Sequence, residues 1–189
     1  MSFELRSARY LAADALERTI RPGDRVIDAT LGNGHDTCML AALVGEQGRV
    51  YGFDIQPDAV ARTRAALQEK GLLDRCELHV VGHEHVAEFV TGPVRAAVFN
   101  LGWLPGAQHA VTTLERTTLP AVEAACSLLC PGGIVSVCVY PGHDEGKREL
   151  AALDRFAASL SPRAFNVLRH QFMNGPENTP QLLLIQRNG

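Results

Sequence analysis

The chain has 189 residues, of which 46% are hydrophobic and 21% are charged, and its formal net charge is −3. The length suits one domain over residues 1–189, and the composition is that of a folded globular protein rather than a disordered or fibrous one. No stretch approaches the roughly 18 uninterrupted apolar residues of a membrane helix, so we expect a cytoplasmic protein without membrane contact. The negative charge excludes a general basic field, so any RNA would have to bind at a local patch.

Arginines supply a candidate for such a patch near the start of the chain. They are Arg6, Arg9, Arg18, Arg21 and Arg25. Scattered arginines on a helix are also common on an ordinary solvated face, so both interpretations stay open.

The five cysteines indicate neither a disulfide framework nor a zinc site. Their number is odd and no Cys-x-x-Cys pair occurs. We therefore expect buried free thiols.

Short apolar runs bounded by turn residues alternate with helical segments, which predicts an α/β fold with a mostly parallel sheet covered by helices on both faces. Seven strands are predicted, at 25–30, 49–54, 76–81, 94–101, 134–140, 164–172 and 181–187. Six helices are predicted, at 5–20, 36–44, 58–71, 84–90, 118–130 and 145–160. Pro57 and Pro120 suit early helical positions, and Pro131-Gly132-Gly133 predicts a firm stop after the fifth helix.

The last two predicted strands have no helix between them, only the turn-rich segment 173–180. They should therefore pair as an antiparallel hairpin, because a parallel pair needs a long crossover. A Rossmann-like parallel sheet that ends in such a hairpin resembles the class I S-adenosylmethionine-dependent methyltransferase fold.

The segment 26–37 is a buried strand, a tight glycine turn and a helix start, in that order. Gly32 and Gly34 let the backbone take positive φ and approach a ligand closely. A dinucleotide site would want a third glycine at the position of Thr37. Asp28, four residues before Gly32, instead resembles the D-x-x-x-G-x-G motif of methyltransferases, which implies that it holds the amino group of the methionyl moiety.

Asp54 ends the next strand and is expected to accept hydrogen bonds from the two ribose hydroxyls of a nucleoside. A helix-capping role before Pro57 is the alternative.

After the third strand, Gly82 and His83 are expected to line an adenine pocket with His85 on a helix surface. His83 and His85 lack a third ligand in range, so no metal site is predicted. The predicted cofactor-binding residues are Asp28, Thr30, Gly32, Asn33, Gly34, His35, Asp36, Thr37, Asp54, Ile55, Gln56, Gly82, His83, Asn100 and Leu101.

Strand four ends in Asn100-Leu101-Gly102-Trp103, at a sheet edge where ligands bind in open α/β folds. The sequence resembles the Asn-Pro-Pro-Tyr motif of amino-methyltransferases, in which an amide oxygen and main-chain carbonyls accept hydrogens from the target amine. Leucine and glycine replace both prolines, and tryptophan replaces the tyrosine. The motif therefore favours amine methylation, with Asn100 orienting the amine.

The fifth strand is followed by a dense polar cluster at 140–147. Tyr140 and His143 are expected to border the substrate pocket, with His143 as a candidate proton acceptor. Alternatively, Asp144 caps the next helix and the rest is a solvated loop. The predicted catalytic residues are Asn100, His143 and Tyr140, and the predicted substrate-binding residues are Trp103, Leu104, Pro105, Gly106, Tyr140 and His143.

Taken together, the blocks at 28–37, 50–56, 82–84, 99–105 and 140–146 resemble the MnmM-type (YtqB-like) tRNA methyltransferases over nearly the whole chain. The resemblance implies S-adenosyl-L-methionine as cofactor and the anticodon stem-loop of tRNA as substrate. It also implies conversion of 5-aminomethyluridine to 5-methylaminomethyluridine at the wobble position. The family usually has tyrosine where this chain has Trp103.

Other functions stay open at this point. A methyltransferase acting on rRNA or on a small-molecule amine would share the entire cofactor site, and so would a non-catalytic S-adenosylmethionine-binding module. A nicotinamide-dependent oxidoreductase finds no support at Thr37. The sequence leaves the oligomeric state open, a homodimer included.

Overall fold

The computed structural model describes residues 7–102 and 112–189. The strands are β1 (Arg25–Asp28), β2 (Arg49–Asp54), β3 (Cys76–Val80), β4 (Val94–Asn100), β5 (Leu129–Val139), β6 (Phe165–His170) and β7 (Gln181–Arg187). The α-helices are α1 (Ala8–Thr19), α2 (His35–Val44), α3 (Pro57–Glu69), α4 (Val86–Phe89), α5 (Glu115–Leu128) and α6 (Asp144–Ser159). Short 3₁₀ turns occupy Leu73–Arg75 and His83–His85.

The strands form a seven-stranded sheet in the order β3-β2-β1-β4-β5-β7-β6. The first five strands pair in parallel, whereas β7 is antiparallel to both β5 and β6. The predicted α/β fold with its C-terminal antiparallel hairpin is therefore confirmed. Among the helices in the described ranges, none is long and apolar enough to cross a membrane.

Helices cover both faces of the sheet, and neighbouring residues of β1 show how the two layers divide. Ile27 is buried in a cluster that includes side chains of α5 and α6. Val26 is buried in a second cluster with side chains of α1, α2 and α3. Because successive strand residues point to opposite faces, an apolar run buries both faces of a central strand.

The fifth helix differs from its prediction at both ends. It begins at Glu115, three residues before the predicted start at Thr118, so Pro120 lies inside the helix rather than in its first turn. The Glu115 N–H donates to Oε1 of Glu145 at 2.9 Å. This contact comes from α6 and has no counterpart in the local sequence.

The helix ends at Leu128, before the predicted stop at Pro131-Gly132-Gly133, and these three residues belong to β5. Leu129 pairs with Val94 of β4, but the next paired residue of β5 is Ile134, opposite Ala96. The proline and glycines lie in the bulge between these two pairs. Cys130, predicted as helical, is part of the same strand.

Most other element ends differ from the prediction by no more than two residues. The predicted start of α1 at Leu5 lies outside the described residues. The parallel strands place their carboxyl ends at one edge of the sheet, and the chain order reverses between β1 and β4. Such a switch point is where ligands bind in open α/β sheets.

Candidate active site

A cavity of about 530 Å³ opens at this edge of the sheet. The volume lies within the range of small-molecule sites. The predicted residues that line it are Thr30, Gly32, Asn33, His35, Asp36, Asp54, Ile55, Gln56, Gly82, His83, Asn100, Leu101, Tyr140 and His143. The structure thus brings together residues from loops after five different strands.

The glycine turn after β1 requires glycine for two reasons. Gly32 has φ of +53° and Gly34 has φ of +78°, a region that L-residues with side chains rarely adopt. A Cβ added to Gly34 would also lie 3.0 Å from the Cα of Thr63 on α3. Gly34 does not line the cavity, so its role is to begin α2 against α3 rather than to contact a ligand.

Asp28 lies behind the cavity wall, with 0% of its surface exposed. Its Oδ2 accepts a hydrogen bond from the Thr37 hydroxyl at 2.6 Å, and its Oδ1 accepts one from the Thr30 N–H at 3.2 Å. Thr37 is equally buried. The expected contact of Asp28 and Thr37 with a ligand does not fit this geometry, because both carboxylate oxygens brace the turn from within.

Burial raises the pKa of Asp28 to about 7, and the nearby Asp36 carboxylate adds to the effect. The hydrogen bonds from Thr37 and Thr30 act in the opposite direction. Asp28 is therefore a buried acid that holds a proton up to near-neutral pH.

Asp54 joins the glycine turn to the end of β2. Its Oδ2 accepts from the Gly32 N–H at 3.0 Å, and its Oδ1 accepts from the Gln56 N–H at 2.9 Å. A carboxylate has about four acceptor positions, so Asp54 retains acceptor capacity for ligand hydroxyls. Ile55 next to it is 55% exposed and offers an apolar surface beside the cavity.

His83 is 8% exposed, and its Nδ1 lies 3.2 Å from the carbonyl oxygen of Ala29. Because a carbonyl only accepts, Nδ1 carries the proton and Nε2 is left as an acceptor. Nε2 is buried and has no hydrogen-bond partner among the described residues. Burial lowers the pKa of His83, which favours the neutral ring.

The histidines beside this part of the cavity do not form a metal cluster with their neighbours. In residues 7–102 and 112–189, no three His, Cys, Asp or Glu side chains are grouped to hold a metal ion. His85 instead makes a 2.7 Å contact with Glu88 on the surface.

Asn100, at the end of β4, has an amide whose orientation is set by its neighbours. Its Nδ2 donates a short hydrogen bond to Oδ2 of Asp36, and its backbone N–H donates to Oγ1 of Thr30 at 2.8 Å. Oδ1 of Asp36 lies 3.5 Å from Nη2 of Arg9. The Oδ1 of Asn100 is buried and accepts no hydrogen bond from the described residues.

Tyr140 and His143 both line the cavity, after β5. Burial raises the pKa of Tyr140, so its phenol is protonated at neutral pH.

His143 caps α6, since its Nδ1 accepts from the Gly146 N–H at 3.1 Å. The alternative in which Asp144 caps the helix is therefore wrong. The predicted role of His143 as proton acceptor does not fit either, because the cap uses the basic lone pair of the neutral ring.

Sequence reasoning missed the part of the cavity wall that comes from α1 and from the start of α5. These residues are Arg9, Thr112, Thr113, Leu114, Arg116 and Thr117. Arg9 was distinguishable only as one of several N-terminal arginines, and the segment before α5 carries no motif. Trp103, Leu104, Pro105 and Gly106, predicted to bind substrate, lie outside the described residues.

Comparisons with known proteins agree with this architecture. A family model named "Putative rRNA methylase" matches residues 50–186, and a model of protein-L-isoaspartate O-methyltransferases matches residues 4–92. The chain is 38% identical over 184 residues to the chloroplastic tRNA (mnm(5)s(2)U34)-methyltransferase of Arabidopsis thaliana. The match covers 92% of this chain and 67% of the relative.

Two solved structures extend the similarity to three dimensions. A "putative rRNA-methylase" from Clostridium thermocellum is 38% identical with a TM-score of 0.95, over 98% of this chain and 100% of that one. A "putative methyltransferase" from Streptococcus mutans, in complex with SAH, is 34% identical with a TM-score of 0.89, over 97% and 99% of the two chains.

The sheet topology, the cavity at the switch point and these similarities define an S-adenosylmethionine-dependent methyltransferase of the class I fold, and S-adenosylmethionine is its cofactor. The chain belongs to the family named "Putative rRNA methylase". The Arabidopsis relative confirms the resemblance to tRNA methyltransferases that the sequence motifs indicate.

Proposed function

We propose that the protein transfers a methyl group to the amine of 5-aminomethyluridine at the wobble position of tRNA, giving 5-methylaminomethyluridine. The observation that carries the proposal is the Asn100 amide. Asn100 lines the cavity, its Nδ2 is held by Asp36, and its Oδ1 is a buried acceptor without a hydrogen bond from the described residues. An amide oxygen in that position suits a target that donates N–H groups. The name of the Arabidopsis relative supports tRNA as the substrate.

The described residues suit S-adenosylmethionine chemically. Asp54 has acceptor capacity for ribose hydroxyls, and His83 offers Nε2 as an acceptor for an exocyclic amino group. The glycine turn brings backbone close to the cavity at Gly32. When bound, the cofactor supplies a methyl group on a positively charged sulfur that leaves as a neutral thioether.

The amine must lose its proton before it can attack. If its pKa resembles that of lysine, near 10.4, deprotonation at pH 7 costs about 4–5 kcal/mol. Burial of the ammonium group in the cavity would reduce this cost, because desolvation disfavours the charged form. Asn100 contributes orientation, since Oδ1 accepts an N–H and thereby directs the nitrogen lone pair toward the methyl carbon.

The remaining parts of the proposal concern substrate contacts and compartment. We propose that Trp103, Leu104, Pro105 and Gly106 contribute to substrate binding. Tyr140 and His143 would border the modified base from the end of β5. The anticodon stem-loop is the proposed partner, and the cytoplasm the proposed compartment.

Transfer of labelled methyl from S-adenosylmethionine to tRNA carrying 5-aminomethyluridine, followed by nucleoside mass spectrometry, tests the proposal. Label in 5-methylaminomethyluridine is the expected result. Label that appears only in rRNA or in a small amine would replace the substrate, and binding of cofactor without turnover on any RNA would indicate a non-catalytic module.

The role of Asn100 is tested by Asn100→Ala in the same assay. We expect kcat to fall by about 100-fold or more, as when an oriented amide is removed from a reacting centre, while the Kd for S-adenosylmethionine changes little. Asn166→Ala on the exposed face of β6 is the control and should leave both values unchanged. Equal losses in kcat and cofactor affinity would contradict the assigned role.

A further inference from the structure

We propose that Asp36 is a positioning residue for methyl transfer: it holds the Asn100 amide so that Oδ1, rather than the NH₂ group, faces the reacting amine. The inference rests on the proposed function and extends it to a residue that does not itself need to touch the amine. Its basis is the chain of contacts from Arg9 through Asp36 to Asn100.

The orientation of a side-chain amide depends on its partners, because its oxygen and nitrogen have nearly the same shape. An ionised carboxylate only accepts hydrogen bonds, so the group of Asn100 that faces Asp36 must be the NH₂. The Asn100 backbone is fixed as well, since its N–H donates to Thr30 at 2.8 Å. With backbone and NH₂ both held, Oδ1 is left as a buried acceptor without a partner among the described residues, on a side chain that lines the cavity.

Two neighbours of the Asp36 side chain suit a hydrogen-bond acceptor that carries negative charge. Asp36 lies in the first turn of α2, where the helix dipole favours a negative charge. Arg9 approaches its other oxygen at 3.5 Å.

Without Asp36 the amide could turn over. Its NH₂ would then face the N–H groups of the target amine, and two donors would oppose each other. The reacting nitrogen would lose its orientation, and a misplacement of about 1 Å can cost about 100-fold in rate. The cofactor contacts at Asp54 and His83 would stay in place.

The first test is Asp36→Asn, which keeps the volume but adds a donor. We expect kcat for tRNA methylation to fall by about 100-fold, with a smaller change in KM for tRNA. The matched control is Asp58→Asn, because Asp58 is likewise the second residue of its helix but is exposed and does not line the cavity. It should leave kcat unchanged.

The second test exchanges the two side chains, as Asp36→Asn with Asn100→Asp. The new amide at position 36 can donate to the new carboxylate, whose second oxygen is again an acceptor on the cavity wall. We expect at least a 10-fold recovery of kcat over Asp36→Asn alone. The kcat–pH profile should also move to higher pH, because a carboxylate beside the amine favours the charged ammonium.

The outcomes separate this inference from the proposed function. Wild-type protein that methylates no tRNA amine would overturn the proposed function, and the inference with it. Active wild-type protein together with an Asp36→Asn variant that folds and keeps its kcat would overturn the inference alone. Recovery in the exchanged variant, with the shifted pH profile, would support it, because a role limited to packing would give neither. If Asp36→Asn and the exchanged variant are equally slow and both folded, the orientation argument is wrong.

Discussion

Replacement of the buried Asp28 by asparagine should change how the stability of the fold depends on pH. Asp28 is fully buried, and its pKa is raised from 3.8 to about 7. Burial is the largest cause, and the negative charges of Asp36 and Asp54 raise the pKa further. The folded protein therefore holds a proton that the unfolded chain has already released. This contribution to stability is fully present below pH 3.8 and is lost as the pH rises through about 7.

The size of the effect follows from the pKa difference. The interval from 3.8 to about 7 corresponds to roughly 4 kcal/mol over the whole range. Between pH 5 and pH 8 the unfolded chain is already ionised, so the loss in that window is about 2–3 kcal/mol. Asparagine does not titrate, and it can donate to the Thr37 hydroxyl while its oxygen accepts from the Thr30 N–H.

Urea denaturation of both proteins at pH 5, 6, 7 and 8 measures this difference. Other titrating groups are common to the two proteins, so they cancel when the free energies of unfolding are subtracted. We expect the stability of Asp28→Asn relative to the parent protein to increase by about 2–3 kcal/mol from pH 5 to pH 8. A difference that stays constant over this range would refute the argument that Asp28 is protonated in the fold.

Two further predictions concern the glycine turn and the acid that holds it. Gly34→Ala should lower the free energy of unfolding by about 1–3 kcal/mol, because φ is +78° and the new Cβ would lie 3.0 Å from the Cα of Thr63. Gly23→Ala shares a positive φ but meets no atom within 4 Å, so urea denaturation should show a smaller loss, and equal losses would refute the contact. Asp54→Asn should weaken S-adenosylmethionine binding by about 10-fold or more. An amide has a single acceptor oxygen, so the N–H of Gly32 or of Gln56 would lose its hydrogen bond at the cavity wall. Calorimetric titration checks this against Asp58→Asn, and an unchanged Kd in Asp54→Asn would contradict it.

The sheet and the glycine turn could be predicted because their signals are local. Apolar runs of strand length alternate with helices, and only an α/β sheet buries such runs on both faces. Gly32 and Asp54 were expected at the cavity from motif spacing, and the structure joins them by a 3.0 Å hydrogen bond. The end of β4 was also recognisable, since Asn100 follows a buried strand at the switch point.

The errors concern properties that depend on packing. Depth of burial cannot be read from a motif, so Asp28 was expected at the ligand although it lies behind the wall. The start of α5 depends on Glu145 of another helix, which the local sequence around Pro120 does not indicate. His143 was expected as a base, but its lone pair serves the N-terminus of α6. Thr112, Thr113, Leu114, Arg116 and Thr117 line the cavity through the tertiary fold, without a local motif that marks them.

Under the proposed function, the methyl group is transferred to an amine nitrogen. The most direct measurement combines ¹³C-methyl S-adenosylmethionine with an anticodon stem-loop whose 5-aminomethyluridine carries ¹⁵N in the amine. We expect a product nucleoside with a direct ¹³C–¹⁵N bond, seen as a one-bond coupling in its NMR spectrum. A methylated product that lacks this coupling would place the methyl group on another atom and would contradict amine methylation.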